Sequence, residues 1–404
     1  MFKSIIAGTA LAVLLAGGAQ AACAFRNETP LRTLTAAFDA WKAVTAAMAE
    51  CGNVQSELDQ NFRLKQPAAF AATPALYHLG GVSNGTMTPL VNAGTIRPLD
   101  ELVAKYGQHL TPNQLVRVDG RIMAIAMMVN AQHLVFRSDL LSELGIGTPT
   151  TYDEVLAAAE KIKASGKVAY PLGATFKAGW DLAQDFNNLF VGFDGIFVKS
   201  DNAPGINSEA GIKTLDMMKR LSAFMDPEFL VSESTFVQKQ FQQGKIAMAN
   251  LWASRLGALE DPRESQVAGK IGVAAAPAAV RGGRPSTTLW WDGIVIAKNI
   301  SDAEAEAAFR VAMEGLDEEM VRANNNAAVW LVKGYVPSKL AGGAIASATG
   351  GAPNYASTTA MGLIHSALGE KLADFMTGKT DARATLAAIE ASYLVKAREQ
   401  GLIR

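Results

Sequence analysis

Beyond its first 21 residues the chain alternates segments of helical period with short apolar runs, and this alternation confines it to an α/β fold. Thr151-Tyr152-Asp153-Glu154 reads as a capping box: the Thr151 hydroxyl can accept from the Glu154 amide while the Glu154 carboxylate reaches back. Val155, Ala159 and Ile162 then share one helical face, and Gly166 is placed to end the helix. Ser301-Asp302-Ala303-Glu304 repeats the device ahead of Ala308, Phe309, Ala312 and Leu316. Ser208 opens a third helix, with Ile212, Leu215, Met218 and Leu221 inward, which must stop before Pro227. Residues 76–79, 246–252, 271–275 and 294–297 are apolar runs that read as strands. The Gly/Ala/Ser-rich stretch 341–357 reads as an irregular surface loop.

At 404 residues the chain exceeds one ordinary hydrophobic core, so two lobes are expected. A formal net charge of -1 offers no basic surface for nucleic acid and no polybasic run for an anionic membrane. The first residues read as an export signal. Lys3 supplies the positive end, residues 5–15 the apolar stretch, and Ala19-Gln20-Ala21 the small-residue cleavage site. Residues 1–21 are therefore expected to be removed and the mature chain to start at Ala22 in the periplasm. A retained membrane anchor is the alternative; Gln20 and the small residues dilute the segment against it.

Cys23 and Cys51 are the only cysteines, and in an exported chain they are expected to pair as a disulfide. Two free thiols, or a lipid on Cys23, are the alternatives; the residues before Cys23 lack the bulky aliphatic that lipid attachment favours. His78, His109, His133 and His365 are scattered without metal-ligand spacing, so no metal is expected. Met123, Met127 and Met128 read as core. No phosphate-binding loop, dinucleotide fingerprint, nucleophile elbow or zinc-protease motif occurs, so neither cofactor nor catalysis is expected. The Glu318-Glu319 pair belongs to an exposed helix face rather than to a glycosidase cleft.

Several segments, in order, resemble the sugar-type family of extracellular solute-binding proteins, the maltose-binding-protein-like components of ABC importers. Residues 92–102, NAGTIRPLDEL, resemble that family's aGxixPLdeL segment. Residues 133–141, HLVFRSDLL, are similar to its xlxYNkdLf, with Phe136-Arg137 in place of the usual Tyr-Asn. Residues 144–154, LGIGTPTTYDE, resemble lGlxxPpTwdEl, and residues 241–248, FQQGKIAM, resemble FxxGkaAM. Residues 271–277 are similar to igvaplP, and Gly334-Tyr335-Val336-Pro337 stands where a late proline segment is common. The family's opening strand, rich in Val and Trp, is not evident between Arg26 and Gln66.

The resemblance implies a two-lobed periplasmic binding protein fold, α/β in class, with an interlobe ligand cleft and multiple chain crossings. The implied division is 22–130 for the first segment of the N-lobe, 131–280 for the main part of the C-lobe, 281–330 for the N-lobe return and 331–404 for a helical C-lobe segment. Crossings are expected near 129–134, after the strand at 271, and near 324–335. The implied partners are a small solute, in the first place a sugar or polyol, and the permease subunits of an ABC importer, served by a monomer. A cationic amine is the alternative solute, and a periplasmic hydrolase is the reading from another class.

A sugar presents C–H faces that stack on aromatic rings and hydroxyls that need fixed donors and acceptors. Trp252 follows the FxxGkaAM-like segment, where the resemblance implies a stacking aromatic; a core tryptophan ending a strand is its alternative. Arg255 can present a planar fork to hydroxyls, or form a surface ion pair. Trp180 and Asp181 stand where the family presents another aromatic. Trp290 and Trp291 cannot both face one side of a strand, and Trp291 with Asp292 is taken as the ligand-facing pair. His78 precedes Gly80-Gly81, whose bare backbone would let a ligand approach, and Asn130 sits at the expected hinge.

Overall fold

The structure, a computed structural model, describes residues 23–404, so the expected export segment and its cleavage site lie outside the described residues. Eleven strands are described: β1 (Leu31–Thr35), β2 (Val54–Leu58), β3 (Leu79–Ser83), β4 (Leu115–Val118), β5 (Arg121–Asn130), β6 (Gln132–Arg137), β7 (Tyr170–Gly173), β8 (Ile246–Trp252), β9 (Ile271–Ala274), β10 (Trp290–Ile296) and β11 (Val329–Trp330). They form two sheets. The first runs β11-β5-β10-β3-β1-β2 with β4 on β5, and the second runs β7-β8-β6-β9. Helices cover both sheets, and each sheet has its own apolar core. Trp41, Phe70 and Phe309 lie in the first; Phe186, Phe190 and Tyr393 lie in the second.

The chain passes from the first sheet to the second through Ala131 alone, which links β5 to β6. It returns between β9 and β10, and leaves again after β11 for a helix, Gly342–Thr349, that packs on β6 and β9. β1 and β3 are parallel, while β10 is antiparallel to β3 and β5. The ends of β1, β3 and β5 therefore meet the start of β10 along one edge: Asp292 pairs with Ser83, and Trp290 pairs with Asn130. That edge faces the second sheet.

The caps form as the sequence dictates. Thr151 accepts from the Glu154 amide at 3.2 Å and Gly166 ends the helix at φ 67°. The Glu154 carboxylate reaches back to the Thr150 amide at 2.8 Å, one residue earlier than a strict box. Ser301 and Glu304 form the full reciprocal pair. The Ser208-capped helix ends at Ser222, with Leu215, Met218 and Leu221 buried and Ile212 half-buried.

Three local expectations are corrected. Residues 341–357 contain the helix Gly342–Thr349, because alanine favours helix and small side chains let it lie close on the second sheet. The strand expected at 76–79 instead begins at Leu79, and Leu76 is 52 % exposed. Gly80 and Gly81 are interior residues of that strand. A Cβ on Gly80 would stand 2.7 Å from the Phe70 ring, and one on Gly81 2.7 Å from the Trp41 ring. The two glycines make room for core aromatics rather than for a ligand. The opening strand that was not evident is β1, short and threonine-rich, paired along its whole length with β2.

Candidate functional site

Trp290 is the centre of an aromatic cluster between the two sheets. It is 4 % exposed, with Trp180 edge-on at 5.5 Å, Trp252 edge-on at 6.0 Å and Tyr355 at 4.1 Å. Its indole N–H donates to Thr288 Oγ1 at 3.0 Å. Trp180 and Trp252 keep part of their surface accessible. Strand alternation turns Asp292 to the same face of β10 as Trp290 and turns Trp291 to the other, where it packs against the first-lobe core. Trp290 and Asp292 therefore share one face of β10, while Trp291, expected beside Asp292 at the ligand, keeps part of its surface accessible on the other.

Trp180 is held from behind by His365, stacked at 4.8 Å. The His365 Nε2 lies 3.0 Å from the Trp180 carbonyl, which can only accept, so Nε2 carries the proton. Nδ1 then accepts from Asn187 Nδ2 at 3.1 Å and from the Tyr355 hydroxyl at 3.0 Å. Burial lowers the His365 pKa to about 4, so the ring is neutral at pH 7.

Charged groups come from both lobes. From the first-lobe helix Phe62–Ala71, the Arg63 guanidinium lies 4.4 Å over the Trp180 ring. Burial pulls its pKa down and the Asp181 charge opposes that shift. Asp181, in the first turn of helix Trp180–Gly192, has its pKa raised by burial and lowered by Arg63. Arg255 is buried, donates to Ser234 Oγ at 2.8 Å and Gln238 Oε1 at 3.4 Å, and lies 5.7 Å over Phe38 of the other lobe. Glu233 accepts from the Thr235 and Phe236 amides as a helix cap. The Asp292 carboxyl is raised to about 7 by burial alone.

The two lobes touch around this cluster. Gln60 donates to Thr235 Oγ1 at 3.2 Å, Asn92 donates to Thr359 Oγ1 at 2.6 Å, and Asn84 donates to the Tyr355 carbonyl at 3.3 Å. Beside them lies a cavity of about 930 Å³, with Arg63, Trp180, Asp181, Tyr355 and His365 among its lining residues. That volume is ample for a small organic solute.

Of the residues expected from sequence, Trp180, Asp181, Trp252, Arg255 and Asp292 lie at this interlobe face. Asn130 lies at its edge with its amide engaged: it donates to Ser254 Oγ at 3.1 Å and accepts from the Ala131 amide at 3.1 Å. It ties the first crossing to the end of β8. His78 is corrected. It precedes β3 at the end remote from Ser83, accepts from the Arg32 amide at 3.0 Å and stands 3.7 Å from Glu304.

Arg63, Asn84, Tyr355 and His365 were not singled out. Arg63 lies on a helix with no cap signal, Tyr355 in a stretch read as loop, and His365 in mid-helix. Only the tertiary fold brings them to one place. The Cys23–Cys51 disulfide is formed, across a sequence separation of 28 residues.

Residues 35–314 match the family model described as bacterial extracellular solute-binding protein. A relative from Deinococcus radiodurans, named "Probable ABC transporter-binding protein", is 26 % identical over 301 residues, covering 70 % of this chain and 69 % of its own. The chain spans between 43 % and 69 % of the length of the curated relatives it matches. Among solved structures, an ABC transporter solute-binding protein of Agrobacterium radiobacter K84 in complex with ribitol is similar at a TM-score of 0.80. The two share 21 % identity, over 91 % of this chain and 99 % of that one. A solute-binding protein of Agrobacterium vitis S4 with bound D-mannitol is similar at a TM-score of 0.78 and 19 % identity, over 92 % of this chain and 99 % of that one.

Proposed function

Because this chain belongs to the bacterial extracellular solute-binding protein family, we propose that it serves an ABC importer by binding rather than by catalysis, and that its solute is a carbohydrate or polyol. The solute sits between the lobes against Trp180, Trp252 and Trp290, with its hydroxyls on Asp181, Asp292, Arg63 and Arg255. The observation that carries this reading is the coexistence of accessible Trp180 indole surface and the half-buried charges of Arg63 and Asp181 on one interlobe cavity. Indole faces accept the C–H side of a sugar, and each hydroxyl both donates to a carboxylate and accepts from a guanidinium. The polyols bound by the two similar Agrobacterium proteins support the same class.

The proposal includes export with removal of residues 1–21, delivery of the solute to membrane permease subunits by a monomer, and lobes made of residues 22–130 with 281–330 and of 131–280 with 331–404. Solute contacts to both lobes stabilise the closed arrangement over an open one. A thermal-shift screen over sugars, polyols, amines and amino acids, followed by calorimetric titration, tests the solute class, since a ligand of the folded state alone raises apparent stability. Stabilisation confined to amino acids, or to amines without hydroxyls, refutes it.

A further inference from the structure

We infer that the solute carries one protonated amino group beside its hydroxyls, seated on Asp292: an amino sugar or amino polyol. This rests on the carbohydrate reading above and narrows it. The inference starts from the charges the cleft encloses. Asp39 is satisfied by Lys42 at 2.9 Å. Asp181 and Glu233 share one electrostatic group with Arg63 and Arg255, and Asp292 stands outside it. Lys177 and Glu370 stand at the cavity's rim, Lys177 exposed and Glu370 paired with Lys396.

Asp292 is distinguished by having no partner among the described residues. Glu233 is held by two amides, and Asp181 feels Arg63, Lys177 and Arg255. Asp292 has no hydrogen bond and no ion pair among the described residues, and no neighbouring cation acts on its titration. The strands on either side place Ser83 and Met128 opposite it, and neither is basic. Asp292 is half-buried at the interlobe end of β10 and keeps accessible surface on the strand face that carries Trp290.

A half-buried carboxylate without a donor gains from a partner that pairs with it. A neutral hydroxyl does so only weakly. An ammonium forms a charge-assisted hydrogen bond of roughly twice the strength. The same face of β10 presents Trp290, with Trp180 and Trp252 edge-on to it, and indole surfaces attract cations as well as sugar C–H groups.

The test is calorimetric titration of the mature protein with matched pairs: D-glucosamine against D-glucose, D-galactosamine against D-galactose, D-mannosamine against D-mannose, and 1-amino-1-deoxy-D-glucitol against D-glucitol, each at a pH where the amine is protonated. The amine of at least one pair is expected to bind about tenfold or more tightly, the worth of one charge-assisted hydrogen bond. Asp292→Asn is expected to abolish that preference by weakening the amine far more than the neutral member of the pair, with circular dichroism confirming the fold. A neutral member that binds as well as its amine in every pair overturns the inference and leaves the carbohydrate reading standing. The wild-type comparison decides this even if the variant fails to fold. A preference that survives Asp292→Asn overturns the assignment to Asp292, and failure of all eight compounds to bind overturns both readings.

Discussion

Replacing Gly81 by alanine separates two roles that a Gly-Gly pair can have beside a cleft. The added Cβ would stand 2.7 Å from Trp41 Cζ2 and 3.0 Å from the Thr35 Cβ, where ordinary carbon contacts need about 3.5–4.0 Å. Trp41 is 1 % exposed, so its ring cannot retreat without displacing other core side chains. Gly81 also lies in a strand clamped between β1 and β10, and its carbonyl accepts from Gln66 Nε2 at 2.6 Å. Overpacking of this kind costs about 1–3 kcal/mol. The lower chain entropy of alanine in the unfolded state returns about 0.5–1 kcal/mol of it. The expected net loss is about 1–2 kcal/mol. It should appear in urea denaturation followed by circular dichroism as a lower midpoint with an unchanged slope. Solute affinity should not change, because the cleft begins beyond Ser83. A variant of wild-type stability that no longer binds solute would place Gly81 against the ligand and refute the packing argument.

Other outcomes follow from the same geometry. Trp252→Ala should weaken solute binding by about 1 kcal/mol or more with a modest loss of stability, read by titration and a denaturation curve; an unchanged affinity with a loss of about 3–5 kcal/mol would make Trp252 a core residue. Arg63→Gln removes a first-lobe cation stacked on second-lobe Trp180, so at equal saturation it should weaken binding and leave small-angle scattering less compact than wild type. Identical affinity and scattering would exclude Arg63 from both tasks. Burial holds His133 and His365 at about 4, so the unfolded chain takes up their protons first, near 6.5, and stability falls as pH drops from about 6.5 towards 4. Asp185, raised to about 7 chiefly by burial, acts in the opposite sense: the unfolded chain releases its proton near 3.8, so stability falls as pH rises from about 4 to 7. Asp185→Asn should therefore steepen the rise of stability with pH across that window; an unchanged slope refutes the assignment.

Much of the frame was legible in local chemistry. The Thr151, Ser208 and Ser301 caps announce helices because a hydroxyl at that spacing satisfies amides that nothing else can. The apolar run at β8 is bounded by Gly244 and by the turn after Trp252, and its limits were readable to the residue. The strand β3 was displaced because Leu79-Gly80-Gly81-Val82 carries its reason in Phe70 and Trp41, on other elements. At the site, Trp252, Trp180 and their polar neighbours were visible because they adjoin recognisable segments. The choice between Trp290 and Trp291 depended on which face of β10 the register turns to the cleft. Arg63 and His365 meet at Trp180 from two parts of the chain distant from it and from each other, with Tyr355 against His365, an encounter no short window of sequence contains.

The position of β10 bears on how the chain comes to be folded at all. It lies inside the first sheet, hydrogen-bonded to β3 on one side and β5 on the other, yet it follows every strand of the second sheet in the sequence. During synthesis the first sheet has a gap at its middle until β10 has emerged, and β11 completes its edge later still. Pairing across so many residues is slow, because the loop must close before the contacts reward it. A chain wired in this way cannot close its first sheet until most of its length has been made.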